Sequence, residues 1–300
     1  MTDIRLWTKD EEISFFRKFL KGVTPEQLFY TTKDKKYYAY WPKHYEGAKT
    51  TLQSRNAFIG AYTEKWAQDL LEKIAKHLGA YAVNNVVCEE FELTKGSPAD
   101  IAICKTKSNI QRAEDIIGIF EVKMSVVWNW ELQKKKTTYS FKCLGDYTTH
   151  QGNPGLLRSD SMLKAIGKSI SIRIASLKAA NVPIIILGNT PVTKSYYQKV
   201  DTLKNYGIIQ GFWSLNPQPL DGNGENIKST KGNGFLRFDS FSEFKTHLLN
   251  LLQEDRMFFA GMKSKKELGR LIELANKENT YESKAEKFLR LMREVEKNAK

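Results

Sequence analysis

Ser97-Pro98-Ala99-Asp100-Ile101-Ala102-Ile103 and Ile116-Ile117-Gly118-Ile119-Phe120-Glu121-Val122-Lys123 are the stretches that decide the fold. Both are short apolar runs of strand length, and each carries charge at one end. Side chains alternate faces along a strand, so Glu121 and Lys123 point one way and Val122 the other. If the two strands lie side by side, Asp100 joins them and three charged groups converge. Two hard carboxylate oxygens open to solvent suit Mg²⁺. A neighbouring lysine can position or polarise a water, which is equipment for metal-assisted hydrolysis of a phosphodiester.

Spacing alone does not single out this pair. Asp/Glu-x-Lys occurs four times, at Asp34-Lys35-Lys36, Glu121-Val122-Lys123, Glu243-Phe244-Lys245 and Glu282-Ser283-Lys284. Context separates them. Only the Glu121 copy ends an apolar β-type run and follows a Pro-x-Asp strand entry at hairpin distance. The first lies in a Lys/Tyr-rich stretch, the third starts a helical pattern and the fourth sits in a charged helical tail. A solvated edge strand with cross-strand ion pairs is the bland alternative. A one-sided charged pair after a nearly continuous apolar run is unusual for such an edge.

Outward from these strands, Ile59, Tyr62, Trp66, Leu70, Ile74 and Leu78 fall at three- and four-residue steps and predict a helix from Arg55, ended by Gly79. Val86–Leu93 reads as a strand. A polar loop spans 105–114, and a hairpin joins Val126–Leu132 to Thr138–Leu144 through a Lys134-Lys135-Lys136 tip. Turn residues fill Gly145–Gly155. A second long helix is expected from Ser159 to Ala180, capped by Ser159 or Asp160. Pro183–Leu187 reads as a buried strand, followed by a helix (Thr193–Asn205), a strand (Ile208–Ser214), a Gly/Asn loop (Asp221–Gly234) and a helix (Ser242–Phe259). Two charged helices, broken near Glu278-Asn279-Thr280, fill Ser264–Ala299. Upstream, a short helix near Asp10–Lys21 precedes a Tyr/Lys-rich stretch. The order helix, strand, strand, strand, helix, strand describes an α/β fold, a mixed sheet flanked by helices.

The chain has 300 residues, 41% hydrophobic and 12% aromatic, enough for a large core. Lys and Arg number 47 against 34 Asp and Glu, a net charge of +13. That excess suggests a polyanionic partner such as nucleic acid. Cys88, Cys104 and Cys143 are far apart with no CxxC spacing, which implies neither a disulfide framework nor a zinc site. The opening Met1-Thr2-Asp3-Ile4-Arg5 begins no signal peptide and no apolar run approaches 18 residues, so a cytoplasmic, non-membrane protein is expected.

Pro98 with Asp100, then Glu121 and Lys123, resemble the PD-(D/E)XK nuclease superfamily, the fold of most type II restriction endonucleases. Ala99 separates Pro98 from Asp100, where the nominal motif has them adjacent. Gln53–Gly60 with Tyr62-Thr63-Glu64-Lys65-Trp66 looks like the first core helix of a restriction endonuclease. His150-Gln151-Gly152-Asn153-Pro154, leading into Arg158–Lys168, is similar to such enzymes too. The resemblance covers roughly residues 50–245. It implies a restriction-endonuclease-like αβββαβ core over residues 53–260, after an N-terminal extension at 1–52 that could serve as a DNA-contacting arm. A charged helical C-terminal appendage would occupy 261–300.

The resemblance further implies that Asp100 and Glu121 ligate Mg²⁺, with the Val122 carbonyl as a third ligand. Lys123 would orient the attacking water or stabilise charge on the scissile phosphate, and Glu64 on the first core helix would join the site. Arg158, Lys164 and Lys168 are candidate DNA-backbone contacts: Lys164 and Lys168 share a helix face and Arg158 precedes a helix start. A solvated helix face is the competing reading for each lysine. His150 and Gln151 can read base edges or hold phosphate, or their loop can simply pack. The tract from Tyr30 to His44 interleaves cations with rings, as backbone-tracking segments do. The implied activity is type II restriction: Mg²⁺-dependent, sequence-specific hydrolysis of double-stranded DNA to 5′-phosphate and 3′-hydroxyl ends. A homodimer would match a two-fold site, and a cognate methyltransferase would complete the restriction-modification system. A structure-directed repair or junction-resolving nuclease, or a DNA-binding module with a dead site, are the rival readings.

Overall fold

Three apolar runs rich in Ile, Val and Ala, two of them joined by a short polar loop, favour a buried sheet over isolated hairpins. The structure, a computed structural model, describes residues 4–135, 138–221, 226–254 and 264–297. Along the chain run α1 (Lys9–Phe19), α2 (Pro25–Leu28), β1 (Tyr30–Thr31), β2 (Tyr37–Tyr38) and α3 (Gln53–Ala75). Next come β3 (Tyr81–Val86), β4 (Ala99–Cys104), β5 (Ile116–Lys123), β6 (Asn129–Lys135) and β7 (Thr138–Gly145). Then follow α4 (Ser159–Ala175), β8 (Ile184–Gly188), α5 (Tyr197–Asn205), β9 (Gly211–Ser214), β10 (Phe235–Arg237) and α6 (Phe241–Gln253). Helices α7 (Lys265–Ala275) and α8 (Tyr281–Lys297) close the list.

The protein is α/β. A mixed six-stranded sheet has the order β10-β9-β8-β5-β4-β3, and an antiparallel four-stranded sheet the order β1-β2-β6-β7. In the large sheet β3, β4 and β5 are antiparallel neighbours, and β8 joins β5 in parallel after α4 has crossed over. Strands β9 and β10 extend the parallel half. Period-two alternation sorts the side chains. Ile101, Ile103, Phe120, Val122, Ile185 and Leu187 share one core with α3 and α6. Ala102, Ile119 and Ile184 face the other way, in a core with Ile172 of α4, and Ile186 and Phe212 pack with Met162 and Ala165. Asp100, Glu121 and Lys123 therefore stand on the α4 side.

Helix α3 buries Ile59, Leu70 and Ile74 of the predicted stripe, together with Ala67 and Leu71. Gly79, at φ +64°, takes the left-handed conformation that ends the segment, which is why a glycine stands there. The Ser240 hydroxyl accepts the Glu243 N–H and fixes the start of α6.

Several boundaries differ from the sequence reading. The strand expected at Val86–Leu93 lies earlier, at β3, and 89–91 is a 3₁₀ turn because Glu92 adopts a left-handed φ of +55°. Helix α4 stops at Ala175 rather than Ala180: Ser176 is extended and caps a separate 3₁₀ segment by accepting the Lys178 N–H. Its N-cap is Arg158, not Ser159 or Asp160, and no side chain caps it. Strand β10 falls just after the segment read as a Gly/Asn loop, of which 222–225 lie outside the described residues. The end of the helix expected to reach Phe259, and the Lys136 end of the lysine tip, also lie outside them.

The N-terminal extension packs into the body of the first unit. Trp7, Phe15, Phe16, Leu28 and Phe29 are buried in the core shared by α3 and the large sheet. Tyr37 and Tyr38 of the cation-ring tract pair with Leu132 and Glu131 in the small sheet. The chain divides into two compact units, residues 1–255 and 256–300. In the second, α7 and α8 pack on each other, and the Ser264 hydroxyl caps α7 through the Glu267 N–H. Among the described residues, no helix is long and apolar enough to cross a membrane.

Candidate active site

Register brings the charges together. Ile101 pairs with Phe120 and Ala102 with Ile119, so one step further Asp100 stands opposite Glu121. Asp100 Oδ2 accepts the Val122 N–H at 2.8 Å and Lys123 Nζ at 3.1 Å. Lys123 Nζ also donates to Glu121 Oε2 and to the Val122 carbonyl, each at 3.2 Å. Asp100, Glu121, Lys123 and Val122, the core of the expected site, thus share one network.

A fourth charge completes it. Lys168 of α4, expected on the DNA-facing surface, turns inward instead, because α4 covers the face on which Asp100 and Glu121 stand. Its Nζ lies 2.5 Å from Glu121 Oε1 and 3.6 Å from Asp100 Oδ1, and it donates to the Pro98 carbonyl. The Glu121 contact is a close charge approach at angles outside those of a hydrogen bond, and Oε1 is buried without a hydrogen-bond partner among the described residues. Two carboxylates and two ammoniums form a nearly closed square. Sequence reasoning placed Lys168 on the correct helix but could not choose its face, since the Lys164–Lys168 spacing fits either direction.

Burial and the adjacent Asp100 charge both raise the Glu121 carboxyl above its ordinary value, with Lys123 and Lys168 pulling the other way. Burial would lower Lys123, but the charges of Asp100 and Glu121 outweigh it and hold its ammonium above the ordinary value. Glu64 is half-buried on α3; burial first, then the Asp100 and Glu121 charges, raise its carboxyl. It is within electrostatic reach of the square but makes no hydrogen bond with it, and among the described residues no group of three or more His, Cys, Asp or Glu is gathered tightly enough to hold a metal ion. Glu64 thus faces the square through its charge and not through a direct bond.

The other candidates lie outside that charge network. His150 is buried and stacks on Tyr40 at 3.9 Å. Its Nδ1 accepts the Gly152 N–H and its Nε2 approaches the Val127 carbonyl at 3.2 Å. Burial pushes its pKa down to about 4. Both ring nitrogens are engaged in the fold, so the expectation of a base- or phosphate-reading His150 gives way to a packing role. Gln151 donates to the carbonyls of Pro42, Lys43 and Tyr45, tying two loops together. Arg158 is exposed and paired with Asp160, and Lys164 is exposed.

Beside Lys123 opens a cleft of about 630 Å³. Tyr40, Trp41, Asn56, Gln151, Asn153 and Arg158 line part of it. The cleft was not visible in the sequence, because its walls come from stretches far apart in the chain, among them Tyr40–Trp41, Thr51–Gly60, Val122–Ser125 and Gln151–Arg158. The chain matches no known protein family, no curated protein and no solved structure.

Proposed function

We propose that the protein is a Mg²⁺-dependent nuclease of the PD-(D/E)XK kind, acting on double-stranded DNA as a type II restriction endonuclease. The observation that carries the reading is the opposition of Asp100 and Glu121 on adjacent antiparallel strands, with Lys123 bonded to both. Apart from the β6–β7 hairpin inserted before α4, the elements of the large sheet run α3, β3, β4, β5, α4, β8, an order compatible with an αβββαβ core. The net charge of +13 suits a polyanionic substrate.

The donor set fits a hard divalent cation: carboxylate oxygens, a backbone carbonyl, and a buried Glu121 oxygen without a hydrogen bond. Asp100 and Glu121, with the Val122 carbonyl, would hold Mg²⁺, which when bound supplies Lewis-acid activation of phosphate and water. The chain's own residues do the rest. Asp100 is held by the Val122 N–H, so its orientation is set by the strand ladder. Lys123 keeps its proton, and its Nζ is aimed where a water or a phosphoryl oxygen would be oriented and its developing charge stabilised. The cleft beside Lys123 gives a strand room to approach, and Arg158 and Lys164 lie on the same α4 side to meet backbone phosphates. Cutting both strands at a two-fold site would use a homodimer, with a methyltransferase protecting host DNA.

The test is to incubate the protein with unmethylated phage DNA in Mg²⁺ or in EDTA, beside Asp100→Ala. Discrete Mg²⁺-dependent fragments, absent for the variant, are expected. A smear would mean a nonspecific or structure-directed nuclease. No cutting alongside a gel shift would mean a binding module, and a fully active Asp100→Ala would remove Asp100 from the mechanism.

A further inference from the structure

The two lysines divide the four carboxylate oxygens between them. Lys123 takes the inner pair, Asp100 Oδ2 and Glu121 Oε2, at 3.1 and 3.2 Å with hydrogen-bond geometry. Oδ2 is further satisfied by the Val122 N–H. Lys168 faces the outer pair, Glu121 Oε1 and Asp100 Oδ1, at 2.5 and 3.6 Å. Among the described residues, neither outer oxygen meets a partner other than Lys168. The outer pair is therefore held by Lys168 alone among the described residues.

With both carboxylates ionised and both lysines protonated, the square sums to zero. A divalent cation added to it would face two ammoniums within a few ångströms in a partly dry site, where like charges repel strongly. One ammonium has to withdraw. Lys123 is the less able, since all three of its oxygen contacts have hydrogen-bond geometry and its backbone lies in the central sheet. Lys168 hangs from a helix on a flexible four-carbon stem, and its hydrogen bond goes to the Pro98 carbonyl at the entry to β4.

We propose that Lys168 is a positioning residue that competes with the divalent cation: its ammonium holds Asp100 Oδ1 and Glu121 Oε1 in the metal-free protein and yields both oxygens when the cation binds. The proposal rests on the nuclease reading above, because it takes that carboxylate pair as the metal site. It gives the second lysine a reason to be there. In the metal-free protein it offsets the repulsion between two neighbouring carboxylates that Lys123 alone would have to balance. Withdrawal also leaves an ammonium beside the site, bonded to Pro98, at the moment a phosphate arrives.

Titration calorimetry with Mn²⁺ on the full chain tests this without any turnover. Lys168→Met is expected to bind Mn²⁺ about tenfold more tightly than the wild type, since a competing unit charge is gone. Equal or weaker binding by that variant overturns the competition. A second measurement needs no variant: acetylation of wild-type lysines by an amine-reactive ester, read by mass spectrometry with and without Mg²⁺. Lys168 is expected to become several-fold more reactive when Mg²⁺ is present, because it leaves its carboxylate partners. Unchanged or reduced labelling of Lys168 overturns the proposal. Asp100→Asn and Glu121→Gln distinguish the deeper failure: if both bind Mn²⁺ as the wild type does, the cation goes elsewhere and the nuclease reading falls with the inference.

Discussion

Glu12 and Glu121 are the most deeply buried carboxylates among the described residues, and they are satisfied in opposite ways. Glu12 of α1 accepts hydrogen bonds from Trp7 Nε1, Val127 N, Trp128 N and Trp130 Nε1, all of them fixed dipoles. Glu121 is answered by Lys123 and Lys168, whose ammoniums ride on long stems that remain partly exposed, at 20% each. Fixed donors lock a carboxylate into one geometry. Mobile cations can leave and be replaced by another cation. The contrast separates a structural buried acid from one suited to exchange, although burial alone would rank the two alike.

The same substitution at both positions probes the contrast most strongly. Glu121→Gln should reduce DNA cleavage by roughly 10³-fold or more, as loss of a transition-state charge partner does. Its melting temperature should move little, because Lys123 keeps Asp100 and the Val122 carbonyl as partners and Lys168 can turn to solvent. Cleavage within a few-fold of wild type by Glu121→Gln would place the two acids in one structural class. Glu12→Leu should do the reverse. Removing the acceptor strands four buried N–H donors, which costs on the order of 3–5 kcal/mol of folding stability. Urea unfolding measures the loss. Cleavage per folded molecule should stay near wild type, and a selective loss of activity in folded Glu12→Leu would break the division.

Proton linkage gives a smaller effect of definite sign. Burial lifts the Glu12 carboxyl from 4.5 to about 7, against the pull of its four donors. Between those values the folded protein keeps a proton that the unfolded chain has released. Stability from this group is therefore fullest below pH 4.5 and falls as pH rises through 7, by roughly 3 kcal/mol. Unfolding free energies at pH 5 and pH 7.5 should differ by less in Glu12→Gln than in the wild type. Equal differences would mean that the N–H donors hold Glu12 ionised throughout.

The strands and their charges were legible because they depend on local rules. The Ile116–Lys123 run fixes which side chains share a face, and Gly79 marks a helix end by a conformation few other residues adopt. What could not be read depends on contacts between distant segments. Nothing in Glu12 or its neighbours reveals that Trp128 and Trp130 will close over it. His150 looked like a polar loop residue, yet Tyr40 stacks on it and the Gly152 N–H occupies its ring nitrogen. Lys168 could be assigned to a helix, but its facing was fixed only when α4 docked over Asp100.

Within α4 the contrast repeats one turn apart, and it sets the smallest effect. Lys164 is exposed and Lys168 faces the square. A phosphate contact by Lys164 is worth one released counterion, so Lys164→Ala should weaken DNA binding only a few-fold. It should also lower the slope of log affinity against log salt by about one, equally for cognate and unrelated sequences. Lys168→Met removes the same formal charge, but from a position balanced by two carboxylates, so in metal-free buffer its salt slope should match the wild type. Gel-shift titrations in EDTA over a range of salt concentrations separate the two. If both substitutions lower the slope alike, Lys168 is an ordinary surface cation in solution, and the inward charge square does not describe the working protein.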